Sequence, residues 1–228
     1  MLELYHGSEM RVERPLLEKC RPNNDYGRGF YCTAHADLAR EWACQKGIDG
    51  FCNEYCLDDA RLNIVDLNAE PYTVLHWLSV LSENRIVSAT APTMVRGKAW
   101  LAERFHVDLS AADVVKGYRA DDSYFGFARA FLRNEITLAQ LERAMRLGEL
   151  GEQCMLKSPA AFEALSFVGS ELVDSKVYWP QRSRRDLDAR AGFREIVAGP
   201  RADGEPRGGL YLATLMDMEE GGLHAVLR

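Results

Sequence analysis

The residues of this chain best suited to chemistry fall in two runs near its start and one far downstream. Leu2-Glu3-Leu4-Tyr5-His6-Gly7-Ser8 ends in a His-Gly pair. Asp25-Tyr26-Gly27-Arg28-Gly29-Phe30-Tyr31-Cys32-Thr33 sets an arginine between two glycines and brings in a tyrosine just after them. Trp42 follows Tyr31 by eleven residues, and Gln153 opens the run Gln153-Cys154-Met155-Leu156-Lys157-Ser158. Glycines on both sides of Arg28 allow a tight turn and a close approach of backbone to a ligand. Flat aromatic faces attract a cationic ring by up to about 2 kcal/mol once water is excluded. Each residue also has a plainer reading. His6 can be a hydrogen-bonded core histidine, Tyr31 and Trp42 core aromatics at a strand–helix junction, and Arg28 a solvated turn residue.

The elements that must position these groups are legible in the periodicity. Leu2, Leu4 and His6 share one face of a strand, which puts His6 on the apolar side near the strand's end. Phe30-Tyr31-Cys32 suits a half-buried strand. Thr33 is placed to cap a helix from Ala34 to about Gln45, with Leu38 and Trp42 stacked on one face. Residues 9–24 carry Pro15, Pro22 and Asn23-Asn24 and read as a turn-rich connector. Phe51–Leu57 and Leu62–Leu67, joined by Asp58-Asp59-Ala60-Arg61, predict a hairpin.

From about 71 to 112 the pattern turns helical, with Val74, Leu75, Leu78 and Leu81, then Pro92, then Met94 to Phe105. This predicts a helical insertion covering one side of a ligand cleft. Asp113–Tyr118 reads as a buried strand. Asp121-Asp122-Ser123 reads as the cap of a helix from Tyr124 to Leu132 rather than as catalytic acids. A further helix runs from Leu138 to about Leu147, a short strand covers Glu152–Ser158, and a last strand starts at Leu165. Beyond it lie the basic run Gln181–Arg185, read as a solvated loop after Tyr178-Trp179-Pro180, and a polar loop from Gly199 to Gly209. A terminal helix over Leu210–Glu220 and a closing strand over Leu223–Leu227 complete the chain.

At 228 residues, 47% hydrophobic and 27% charged, the composition is that of an ordinary globular protein. A net charge of −6 argues against a surface that tracks nucleic acid throughout. Met1-Leu2-Glu3-Leu4 lacks the basic start of a signal peptide, and no run reaches the roughly 18–20 apolar residues of a membrane helix, so a cytoplasmic location and no membrane partner are expected. The six cysteines show no Cys-x-x-Cys pair, and a zinc site from Cys44, Cys52 and Cys56 is not expected.

Four motifs in order carry a resemblance: Tyr5-His6-Gly7-Ser8, Asn24-Asp25-Tyr26-Gly27-Arg28-Gly29-Phe30-Tyr31, Gly117-Tyr118-Arg119-Ala120-Asp121-Asp122 and Gln153–Ser158. Over residues 1–170 the chain resembles the ADP-ribosyltransferases of the histidine–tyrosine–glutamate branch, the branch of diphtheria toxin and the poly(ADP-ribose) polymerases, and within it an uncharacterised bacterial family. The resemblance implies an α+β fold with a split mixed β-sheet core, a helical insertion, and a C-terminal extension, residues 171–228, packed on the core. It implies NAD as substrate, no metal, a macromolecular acceptor, protein or nucleic acid, and an activity of toxin or effector type that a partner protein can inhibit.

By the same resemblance His6 hydrogen-bonds the adenosine ribose and the Gly7 backbone grips the nicotinamide amide, with Ser8 beside them. Tyr31 and Trp42 sandwich the nicotinamide, while Arg28 and Gly29 lie toward the pyrophosphate. Gln153 stands where that branch usually carries glutamate, keeping a hydrogen bond to the ribose but not the negative charge. Two other functions stay open. One is an NAD-binding module without turnover, and the other is a nucleic-acid-interacting protein using Trp179 and Arg182 to Arg185.

Overall fold

The structure is a computed structural model and describes residues 1–85, 91–120, 122–149, 152–199 and 209–227. The alternating run Leu2–Ser8 forms β1, and Phe30–Thr33 forms β2. Helix α1, Ala36–Ala43, begins later than the capping pattern predicts. The Thr33 hydroxyl accepts from the His35 amide at 3.2 Å and closes a turn, so extended His35 becomes the first flanking residue. Strand β3 is Gly50–Leu57, and β4 is Ile64–Asp66. The helical stretch follows as α2, Val74–Asn84, and α3, Pro92–Arg104, with Val74, Leu75, Leu78 and Leu81 all buried. Then come β5, Val114–Tyr118, and α4, Asp122–Leu132. Asp121, the proposed cap, lies outside the described residues. Helix α5, Leu138–Met145, is opened by a capping box between Thr137 and Gln140. It precedes β6, Glu152–Leu156, the short α6, Pro159–Glu163, and β7, Leu165–Val173.

The strands make one mixed sheet in the order β4-β5-β6-β2-β1-β3-β7, parallel between β4 and β5 and antiparallel elsewhere. The architecture is α+β. The predicted hairpin does not form. Both edges of β3 are taken, by β1 and β7, and the chain after Leu57 crosses to the far edge, where β4 joins β5. There the Asp113 carboxylate accepts from the Asn63 amide at 2.8 Å and holds the new strand in place.

Residues paired across strands share a face. Tyr5, Thr33, Gln153 and Gly117 are therefore in line on one side, with Tyr31 and Met155 in the next row. The main core lies on this side, between the sheet and the helices, and includes Met155, Trp77, Leu78, Phe131 and Leu141. Leu4, Phe30, Cys32, Tyr55 and Leu156 build a second core on the other side. Helix α1 lies almost on the backbone of β1 and β3. A Cβ on Gly7 would sit 2.0 Å from the Ala39 carbonyl oxygen, and one on Gly50 2.0 Å from that of Ala43.

Three further expectations are corrected in the C-terminal part. The basic run lies not in a loop but in a 24-residue helix, α7, Ser175–Ala198, which continues through Pro180 and is capped by the Asp174 carboxylate. The expected terminal helix is shorter, the five residues of α8, Leu212–Met216, and a second short helix, α9, Glu220–Val226, follows it. The second replaces the expected closing strand, because Leu223 docks in the main core as part of a helical turn. Most of the loop expected from Gly199 to Gly209 lies outside the described residues.

Candidate functional site

The sheet opens between β1 and β2. Strand β1 pairs with β3 along its whole length, from Leu2 to Ser8, but meets β2 only at Tyr5 and Thr33. Beyond that pair the His6 imidazole occupies the gap. Its ring lies 4.4 Å from that of Phe30, and Nδ1 is 2.7 Å from the Tyr31 carbonyl oxygen. A carbonyl can only accept, so Nδ1 carries the proton and Nε2 is the acceptor of the ring. Burial holds the His6 pKa below its ordinary value, and the nearby Arg119 charge adds to this, against the opposing bond to Tyr31. His6 is therefore a neutral imidazole with a fixed tautomer.

Tyr31 is half-buried, and its ring face lies 6.4 Å from that of Tyr26. Its hydroxyl donates to the Gly27 carbonyl at 2.8 Å and accepts from the Tyr26 amide at 2.9 Å, which fixes the turn before β2. Gly27, at φ 90°, supplies the left-handed residue that this turn requires. Burial raises the Tyr31 pKa. Gly29 lets β2 approach β6, since a Cβ there would lie 2.4 Å from the Met155 side chain. Arg28 is exposed and reaches the Glu18 carbonyl at 3.3 Å. The Ser8 hydroxyl donates to the Met10 carbonyl at 2.5 Å and accepts from Asn53 at 3.2 Å.

Trp42 projects from α1 half-buried, and the Arg119 guanidinium lies stacked on its ring. Arg119 is itself only 3% exposed, and its charge reaches both His6 and Cys32. This arginine, just past β5, therefore touches one of the residues singled out from the sequence, Trp42, and adds its charge to the surroundings of another, His6.

Gln153 is 4% exposed. Its Nε2 donates to Asp25 Oδ2 at 2.7 Å and to the Tyr118 carbonyl at 3.1 Å. Asp25 is equally buried and also accepts from Arg85 Nε at 2.7 Å and from the Ala120 amide at 2.9 Å. The Tyr118 carbonyl takes two further donors, the Tyr26 hydroxyl at 2.5 Å and Trp77 Nε1 at 3.0 Å. Tyr31 and Gln153 are diagonal neighbours on one face of β2 and β6, while His6 enters from the opposite face through the gap. One cleft of about 410 Å³ opens at the β2–α1 junction, lined by Tyr5, Ala34, His35 and Arg185. Another, of about 590 Å³, is lined by Tyr72, Tyr118, Glu142 and Arg146.

Periodicity gave no signal for buried Asp25 and Arg119 or for half-buried Arg85. Of these, Asp25 and Arg119 fall within the motifs that carried the resemblance. The Arg182–Arg185 run is not uniformly solvated. Arg185 forms a two-point ion pair with buried Glu41 at 2.8 and 2.9 Å and donates to the Gly148 carbonyl at 2.7 Å. Among the described residues no three potential ligands gather as a metal site, and no helix is long and apolar enough to cross a membrane.

Residues 2–167 match a family described as a protein of unknown function (DUF3990), and the chain belongs to that family. No curated protein matches the chain. No solved structure matches it either.

Proposed function

We propose that this member of the DUF3990 family is an NAD-dependent ADP-ribosyltransferase whose dinucleotide site is the opening between β1 and β2. The observation that carries the reading is the His6 imidazole, held in that opening by the Tyr31 carbonyl at 2.7 Å with Nε2 left as acceptor. A neutral acceptor in a fixed tautomer suits a ribose hydroxyl, which must donate. Tyr31 on β2 and Trp42 on α1 are the two aromatic faces assigned to the nicotinamide in this reading, and a cation already rests on the second, the Arg119 guanidinium. A nicotinamide pyridinium is also a flat cation and would use that face in the same way.

In the reaction the bond from ribose C1′ to the nicotinamide nitrogen breaks, and nicotinamide leaves with the bonding pair. The acceptor nucleophile then bonds to C1′ and loses its proton. The ribose passes through an oxocarbenium-like state close to that of glycoside hydrolysis. Stacking positions the ring but favours the cation over the neutral leaving group, so it does not itself lower the barrier. Stabilisation of the sugar falls to Gln153, on the same face as Tyr31. The acceptor is a macromolecule, and Arg28 stays available to the pyrophosphate from its exposed turn.

The test is incubation of the purified protein with labelled NAD and cell lysate, following label transfer and nicotinamide release. Wild type is expected to do both, and His6→Ala and Tyr31→Ala neither. Absence of both from wild type would refute the proposal.

A further inference from the structure

Position 153 lies in a buried hydrogen-bond set that admits an amide and rejects a carboxylate. Both partners of Nε2, the Asp25 carboxylate at 2.7 Å and the Tyr118 carbonyl at 3.1 Å, can only accept. This fixes which end of the side-chain amide faces them, and so directs Oε1 away from both. Among the described residues no donor reaches Oε1. The Gln153 side chain also meets the Tyr26 hydroxyl, whose own proton goes to the Tyr118 carbonyl. Asp25 is in turn held by Arg85 Nε at 2.7 Å and by the Ala120 amide at 2.9 Å.

We infer that Asp25 and Arg85 are positioning residues that lock Gln153 with its carbonyl oxygen presented to the ligand. Gln153 Oε1 is then the group that receives the ribose hydroxyl and faces the developing positive charge. The pull of the Asp25 carboxylate on the amide N–H makes that oxygen more electron-rich, supplying part of the negative character that a glutamate would bring. Glutamate itself would set two carboxylates and a carbonyl against one another in a buried site. The substitution of glutamine for glutamate is thus matched by the residue at position 25 rather than being a loss of function. This inference rests on the ADP-ribosyltransferase reading for the identity of the ligand, but not for the hydrogen-bond arrangement.

The experiment is a double-mutant cycle of Asp25→Asn and Gln153→Glu, read by thermal unfolding and by NAD turnover. Gln153→Glu is expected to lower Tm at neutral pH, with recovery on acidification as one proton is shared between the carboxylates. Asp25→Asn should lower kcat by about 10- to 100-fold, the worth of one charge-assisted hydrogen bond, with KM for NAD little changed. The double variant restores a donor opposite a carboxylate and should regain more than half of the Tm lost in Gln153→Glu. A Gln153→Glu protein as stable as wild type and more active, or a cycle without rescue, overturns the inference. Rescue of Tm in a protein that turns over no NAD supports the arrangement and removes the function instead.

Discussion

Gly7→Ala tests how tightly helix α1 is held against the sheet. The new Cβ would lie 2.0 Å from the Ala39 carbonyl oxygen and 2.6 Å from the Ala43 amide nitrogen, both backbone atoms of α1. An ordinary contact to carbon needs roughly 3.3 Å or more, so α1 must recede by about an ångström, because no flexible side chain is there to give way. Overpacking of this kind costs about 1–3 kcal/mol, and backbone on both sides puts this case at the upper end. For a chain of this length about 3 kcal/mol lowers Tm by roughly 6–12 °C. Trp42 rides on the same helix and moves with it, and a misplacement of about 1 Å can cost on the order of 100-fold in rate. The control is Gly169→Ala, at a site on β7 where an added Cβ meets nothing within 4 Å. Calorimetric melting should show a large drop for the first variant and less than about 2 °C for the second. Equal melting temperatures for the two would refute the close strand–helix packing and with it the fixed placement of Trp42.

Three further outcomes follow from the charges around the site. Because the folded pKa of His6 lies below 6.5, the unfolded chain takes up a proton first. Stability should therefore fall as pH drops below 6.5, by up to about 1.4 kcal/mol per pH unit until the folded value is reached, and be unaffected above it. Urea unfolding of wild type and His6→Gln across that range isolates this slope from the similar one of His76, whose pKa burial also lowers. In Arg119→Gln the His6 titration followed by NMR should move to higher pH, since a neighbouring positive charge has been removed; an unmoved curve would place the guanidinium elsewhere. Arg185→Ala leaves the Glu41 carboxylate, 2% exposed, without its two-point partner. Arg185 is itself 30% exposed, so a loss of about 2–4 kcal/mol by denaturant unfolding is expected, at or below the range for a fully buried pair.

What could be read from the sequence was set by near neighbours. The inward side of His6 follows from Leu2 and Leu4, and the burial of α2 from the spacing of Val74, Leu75, Leu78 and Leu81. The late start of α1 was hidden because Thr33 can serve either as a cap or as the closer of a turn onto His35. Strand partners were not legible for β3 and β4, since both alternate well and nothing local says that β7 claims the free edge of β3. The buried polar set was invisible for the same reason. Asp25 lies in a glycine-rich turn and Arg85 just after a helix, and only the folded chain brings them to 2.7 Å. Arg119 reads as a strand-end arginine until Trp42 is placed beneath it.

The most direct test of the central claim is a structure of the protein saturated with NAD. The nicotinamide should lie between Tyr31 and Trp42 with the Arg119 guanidinium moved off the indole, one ribose hydroxyl on His6 Nε2 and the other ribose facing Gln153 Oε1. NAD bound away from the β1–β2 opening, or no NAD bound with Arg119 still on Trp42, would contradict it.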